Sequence, residues 1–166
     1  LKLFGEDWNA NVVRWQIVGW RPQGNALDLD AYQDWFIAQL DKLDADLALC
    51  EKHGIYVVVD LHSPPSGGEQ NLLNSKACQD RFIDNWRLMA RRYKDSKVVW
   101  GYDLVNEPIE RFVPEGVMDW QDLAQAAAKT VREIDPDHAI IVEPGTGGGP
   151  YGFTHLNPID VPKVVY

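Results

Sequence analysis

Glu107 follows Trp100–Val105, a mostly apolar run, and precedes Pro108. A carboxyl set against an apolar wall loses hydration, so its pKa rises and it can keep its proton near neutrality. That is the state a general acid requires. The position also suits a glutamate that caps or salt-bridges a strand end. Asn106 beside it is ordinary turn chemistry. For both to face one mouth, the strand must bulge or twist at its end. His62 closes a second apolar run, Tyr56–Leu61, and shares strand parity with Asp60. That parity predicts an Asp60–His62 contact which selects the imidazole tautomer or raises its pKa; a histidine bonded within the core fits the same residues. Arg14 lies in a third apolar stretch, and on a buried face it needs a carboxylate. The candidates are Glu107 or a group outside these residues. Glu143-Pro144 repeats the Glu107-Pro108 pair after a further apolar run.

Arg14, His62 and Asn106 are spaced 48 and 44 residues apart. Each interval accommodates one strand–helix unit with a generous loop. Residues 11–16 read as a strand. Asp30 and Gln33 have capping-box spacing, and Tyr32, Phe36, Leu40, Leu43, Leu47 and Cys50 form one apolar helical stripe, which His53-Gly54 ends. Residues 56–61 read as a strand covered on both faces, with His62 as its last residue. A helix over 77–94 buries Phe82, Trp86, Met89, Ala90 and Tyr93. Residues 98–105 form the third strand, 118–134 a helix, 139–142 the fourth strand, and 163–166 the first residues of a fifth. Buried strands alternating with amphipathic helices pair in parallel. The strand-to-helix loops are long and rich in Gly, Pro and aromatics, and the helix-to-strand links are short. Function therefore belongs at the carboxyl ends of the strands, in a barrel or in an open sheet alike.

Seven tryptophans are many for 166 residues. Aromatic faces stack on the C–H faces of sugar rings, which points toward carbohydrate. Trp35, Trp86, Trp100 and Trp120 fit core positions; Trp20, in the loop after the first strand, is the best candidate platform. Trp8 and Trp15 fit either role.

Composition excludes other classes. With 25 acidic and 16 basic residues the net charge is −9, the wrong sign for a phosphate backbone, so nucleic acid is not expected as a partner. Arg87, Arg91, Arg92 and Lys94 read as a solvated helix face. No apolar run is long enough to cross a membrane, and Leu1–Ala10 lacks the apolar core of a signal peptide. Cys50 and Cys78 are expected as free thiols, because a helix of roughly 30 Å separates their ends. No phosphate-loop, dinucleotide or nucleophile-elbow motif is present. Gly145–Gly149 is followed by Pro150, with no helix expected to open there. The histidines lack zinc spacing, so no metal and no cofactor is expected.

Taken in order, Val-Val-Arg14-Trp, Val-Val-Val-Asp-Leu-His62-Ser-Pro-Pro and Trp-Gly-Tyr-Asp-Leu-Val-Asn106-Glu107-Pro108 resemble glycoside hydrolase family 5, the cellulase-type family of (β/α)8 barrels, from about residue 9 onward. The resemblance implies an α/β fold, a partial TIM barrel holding the family's strands two to five plus the start of six, with residues 1–166 as part of a catalytic domain. Glu107 then corresponds to the acid/base, and Asn106 to the residue holding a substrate hydroxyl beside the cleaved bond. His62 and Arg14 correspond to groups supporting the sugar and the nucleophile. The implied reaction is retaining hydrolysis of a β-linked polysaccharide (cellulose, another β-glucan or mannan), in an extracellular or periplasmic location. A whole barrel takes about 250 residues, and the family's nucleophile sits on a seventh strand without counterpart here. Glu143 is the alternative partner, since neighbouring strands are about 4.8 Å apart and a retaining carboxylate pair about 5–5.5 Å. The isolated chain is expected to be inactive and poorly soluble, with unpaired strand edges and exposed inner faces. Two rivals are a non-catalytic carbohydrate-binding fragment built on Trp20, and a metal-dependent α/β hydrolase using Asp60, His62 and His155.

Overall fold

The computed structural model describes residues 2–24 and 26–166. Leu1, where the assigned domain and the signal-peptide reading begin, and Asn25, within the loop after the first strand, lie outside the described residues. A short helical turn (Leu3–Asp7) leads into β1 (Val12–Gln16), α1 (Leu29–Lys52), β2 (Tyr56–Asp60), α2 (Lys76–Tyr93), β3 (Val99–Asp103), α3 (Trp120–Arg132), β4 (Ala139–Ile141) and β5 (Val164–Val165). All four strand pairings are parallel. The strand order is β1-β2-β3-β4-β5. Strands that neighbour one another in chain order without reversal are a segment of a barrel; a doubly wound sheet reverses at a switch point.

Strand parity separates the two faces of this sheet. Val57, Val59, Leu61, Tyr102, Leu104, Ile140 and Val142 are buried under the helices. The helices meet them with Tyr32, Phe36, Leu40 and Leu43 of α1, Phe82, Trp86 and Met89 of α2, and Leu123, Ala127 and Val131 of α3. Leu47, next to last in its stripe, is only half-buried, while Cys50 after it is fully buried. The basic residues of α2 work locally: Arg92 bonds Asp41 and Asp44 of α1, and Arg87 pairs with Asp84. Both cysteines are buried free thiols.

Several details differ from the sequence reading. Asp28, not Asp30, caps α1: its side chain accepts from the Ala31 N–H. Both aspartates suit the chemistry, and the non-helical backbone at residue 28 decides between them. His62 lies two residues past the end of β2 rather than at its last position. β3 stops at Asp103, and α3 is shorter at both ends than expected. One five-residue 3-10 turn, Pro150–Thr154, does open after the Gly-rich loop, with Pro150 at its first position, where a missing N–H costs nothing. Trp100 is not core. Val57 pairs with Val99 but Val58 pairs with Gly101, so Trp100 is the extra residue of a β-bulge. It joins Tyr56 and Val165 along a groove on the helix-free face. There Val12, Tyr56, Trp100 and Val165 are 41 to 52 % exposed. Trp35 is half-buried, whereas Trp86 and Trp120 are core as expected.

Candidate active site

The helix-free face carries a row of polar groups at the carboxyl end of the sheet. Arg14 of β1 pairs with Val58 of β2, and Asp60 pairs with Asp103 of β3. That register brings two buried aspartates beside one guanidinium. Arg14 Nε and Nη2 donate to Asp103 Oδ2 at 2.9 and 2.6 Å. Nη1 lies 3.2 Å from Asp60 Oδ2 and donates to Asn106 Oδ1 at 2.7 Å. Nη2 also reaches Glu143 Oε1 at 3.1 Å. The partner of Arg14 is therefore neither Glu107 nor a group outside the chain: Asp103, Asp60 and Glu143 surround it.

Asp60 also meets His62 Nδ1 at 2.9 Å, as strand parity predicted. Gln16 Nε2 lies 3.1 Å from the same ring nitrogen. One nitrogen cannot donate to Asp60 and accept from Gln16 at once. The buried carboxylate takes the Nδ1 proton, which leaves Nε2 without a protein partner among the described residues.

Three carboxyls around one guanidinium leave an excess of negative charge in a partly dry place. Burial pushes the Asp103 carboxyl up to about 7, against the hydrogen bonds and charge of Arg14, and the charges of Asp60 and Glu143 add to the rise. Burial also raises Asp60, opposed by His62 and Arg14. Burial pulls Arg14 down, but Asp103, Asp60 and Glu143 together hold it above its ordinary value. Asp60 Oδ1 and Asp103 Oδ1 are buried without a hydrogen-bond partner among the described residues. The folded state thus holds the Asp103 proton more tightly than the unfolded chain. This favours folding fully below about pH 4, fades as pH rises, and is gone above about 7. Asp103→Asn is expected to remove that slope, which is on the order of 4 kcal/mol across the window. Urea midpoints of both proteins between pH 4 and 8 check it.

Glu107 stands at the same rim, four residues beyond the end of β3, and is exposed. The enclosure expected from Trp100–Val105 is not there: Tyr102 and Leu104 face the helices, and the chain turns away before residue 107. The turn is not a strand-end bulge either. Glu107 has φ +46°, a left-handed conformation, and Asn106 beside it reaches Arg14 with its Oδ1. The Glu107 amide donates to Glu143 Oε2 at 3.0 Å. Its own carboxyl has no hydrogen-bond partner among the described residues.

Trp20 packs against Tyr32 and Trp35, with centroids 5.3 and 5.6 Å away, and its Nε1 donates to the Ser66 carbonyl at 2.9 Å. It borders a cavity of about 470 Å³ that also exposes Arg21, Gln23 and Asp28. Trp15 turns to the helix side and bonds Asp46, while Trp8 is exposed against Phe4. His155 packs on Tyr151, apart from the Asp60–His62 pair, and no three metal-ligating side chains converge among the described residues. The sequence reading missed Asp103 and Gln16. The signal for Asp103 was a lone acid inside an apolar strand, four residues before Glu107.

Comparison with known proteins assigns a family to this fold. The cellulase family (glycosyl hydrolase family 5) matches residues 2–166. A β-xylosidase of Phanerodontia chrysosporium is 33% identical over 115 residues, 63% of this chain and 23% of that protein. An endoglucanase of Paenibacillus polymyxa is 34% identical over 96 residues, 55% of this chain and 24% of that protein. The endoglucanase Cel5A of Pseudomonas stutzeri, solved in complex with cellobiose, superposes with a TM-score of 0.74 at 25% identity, covering 99% of this chain and 48% of that one. The chain thus spans about a quarter of the length of those two curated relatives and about half of the solved one. With a run of consecutive parallel strands, an arginine–carboxylate cluster at their carboxyl ends and a match along nearly its whole length, the chain belongs to glycosyl hydrolase family 5, the cellulase family.

Proposed function

We propose that this chain is the part of a β-glucan hydrolase that carries the proton donor, Glu107, and that the reaction retains configuration. The observation that carries the reading is the contrast among the rim carboxyls. Asp60, Asp103 and Glu143 are all committed to Arg14, while the Glu107 carboxyl is exposed and unengaged among the described residues. An acid must reach a departing sugar oxygen, and only an unengaged group can do so. The nucleophile then comes from a strand outside these 166 residues, as the family resemblance implies, with Arg14 placed to support it and Glu143 already committed to Arg14 and the Glu107 amide. Asn106 and His62 Nε2 hold sugar hydroxyls, Arg14 fixes the site's charge, and Trp20 offers a stacking face for a sugar ring farther along the cleft. The substrate is a β-linked glucan or a related polymer such as mannan. A polymer is met outside the cell, which supports an extracellular or periplasmic location.

The 166-residue chain is assayed on soluble cellulose and mannan derivatives. No turnover is expected, and light scattering should show self-association through the exposed face of Val12, Tyr56, Trp100 and Val165. Turnover that disappears in Glu107→Gln would show that a second working carboxylate lies within the chain, and would overturn the placement of the nucleophile.

A further inference from the structure

We infer that Glu143 is a positioning residue for Glu107: its carboxylate ties down the Glu107 amide and so sets the direction in which the Glu107 side chain leaves the backbone. The inference rests on reading Glu107 as the proton donor.

Glu107 needs such a restraint. Its φ of +46° is in the left-handed region, where a side chain with a Cβ is disfavoured and persists only when its surroundings hold it. The loops after β3 and β4 are zipped together: the Gly147 N–H donates to the Pro108 carbonyl, and the Glu110 N–H to the Gly145 carbonyl, both at 2.8 Å. Neither bond touches Glu107 itself. The one bond to its amide comes from a side chain, Glu143 Oε2 at 3.0 Å.

Glu143 is in turn held from three sides. Arg14 Nη2 donates to Oε1 at 3.1 Å. The buried Trp120 indole, at the start of α3, donates to the Glu143 backbone carbonyl at 2.7 Å. Gly148 lies against the carboxylate: a Cβ there would sit 2.5 Å from Glu143 Oε2 and 3.5 Å from Glu107 Cγ. The loop carries glycine where any side chain would push the carboxylate off the Glu107 amide. Both carboxylate oxygens are thus engaged, one by a cation and one by an amide, and this suits a group that orients a neighbour rather than one that attacks substrate.

The test uses the full-length protein and two substrates. One is an unactivated β-glucan oligosaccharide, whose leaving oxygen must be protonated; the other is a dinitrophenyl β-glycoside, whose leaving group departs without a proton. Both are read as kcat/KM, which reports the bond-breaking step and not the later hydrolysis in which the same carboxyl acts as base. Glu143→Ala is expected to slow the first by about 100-fold, as a misdirected acid would, and the second by less than about 5-fold. Glu143→Gln keeps an acceptor oxygen and should stay within about 10-fold on the first. Gly148→Ala, which displaces the carboxylate without removing it, should follow Glu143→Ala. Independently of turnover, amide hydrogen exchange at Glu107 should quicken by about 10-fold in Glu143→Ala. Equal losses on both substrates, or unchanged Glu107 exchange, overturn the inference. Glu107→Ala is the control. If it fails to distinguish the two substrates, the acid reading falls on its own account, and the exchange result still decides whether Glu143 holds the amide.

Discussion

Replacing Glu107 by alanine in the full-length protein is expected to lower kcat on β-glucan by about 10²–10⁴-fold, with little change in KM. The loss is confined to the rate because a proton donor acts on the leaving oxygen in the transition state and contributes little to ground-state binding. Stability should move the other way. The Glu107 carboxyl is exposed and without a partner among the described residues, so removing it loses little. Its backbone sits at φ +46°, which a Cβ makes unfavourable by about 1–2 kcal/mol. Glu107→Gly relieves that strain, although it also frees the unfolded chain, so a net gain of about 0.5–1 kcal/mol is expected. Steady-state kinetics and urea denaturation of the two variants check both halves. A residue whose removal abolishes turnover and stabilises the fold is held for function. A Glu107→Gly variant that is both less stable and still active would show the glutamate to be structural, the strand-end cap that its position also allows.

Arg14→Ala carries the largest expected effect on stability. Arg14 is the only arginine or lysine within ion-pairing distance of Asp60 and Asp103 among the described residues, and both aspartates are buried. Removing one partner of a buried ion pair typically costs about 3–5 kcal/mol, because the remaining charge is left without water or counter-charge. The cost should depend on pH with a definite sign. Protonation relieves the stranded carboxyls, and Asp103 already takes up its proton near 7 in the intact cluster. The variant is therefore expected to be closest to the parent near pH 4.5 and farthest from it near pH 8, since the folded variant, without the guanidinium, holds its carboxyl protons to higher pH than the folded parent does. Thermal or urea unfolding at the two pH values checks this. Equal losses at both would show that the stem of Arg14 stabilises by packing and that its charge is incidental. Asn106 and Glu143 also lose a donor in this variant, so activity should fall with stability even at the pH where the fold survives.

What could be read from residues alone was what depends on near neighbours in the chain. Period-two and period-3.6 apolar patterns marked the strands and the helices, because burial selects one face of each. The stripe from Tyr32 to Cys50 and the parity of Asp60 with His62 are of this kind, and both stand in the structure. The motifs ending in Arg14, His62 and Asn106-Glu107 placed the site at the carboxyl ends of the strands, because the long loops all fall there. Tertiary structure decided who pairs with whom. Asp103 could be seen as a lone acid in an apolar strand, but its pairing with Arg14, 89 residues away, follows from a register that includes a bulge at Trp100. The same bulge exposed a tryptophan whose neighbours made it look like core. The enclosure expected around Glu107 failed because it assumed that the strand's apolar wall continues past its end, whereas a left-handed turn carries the carboxyl out into the open. Local sequence sets which face of an element is apolar. The sign of one dihedral and the register of strands more than forty residues apart set which charges meet, and those follow from packing the whole sheet at once.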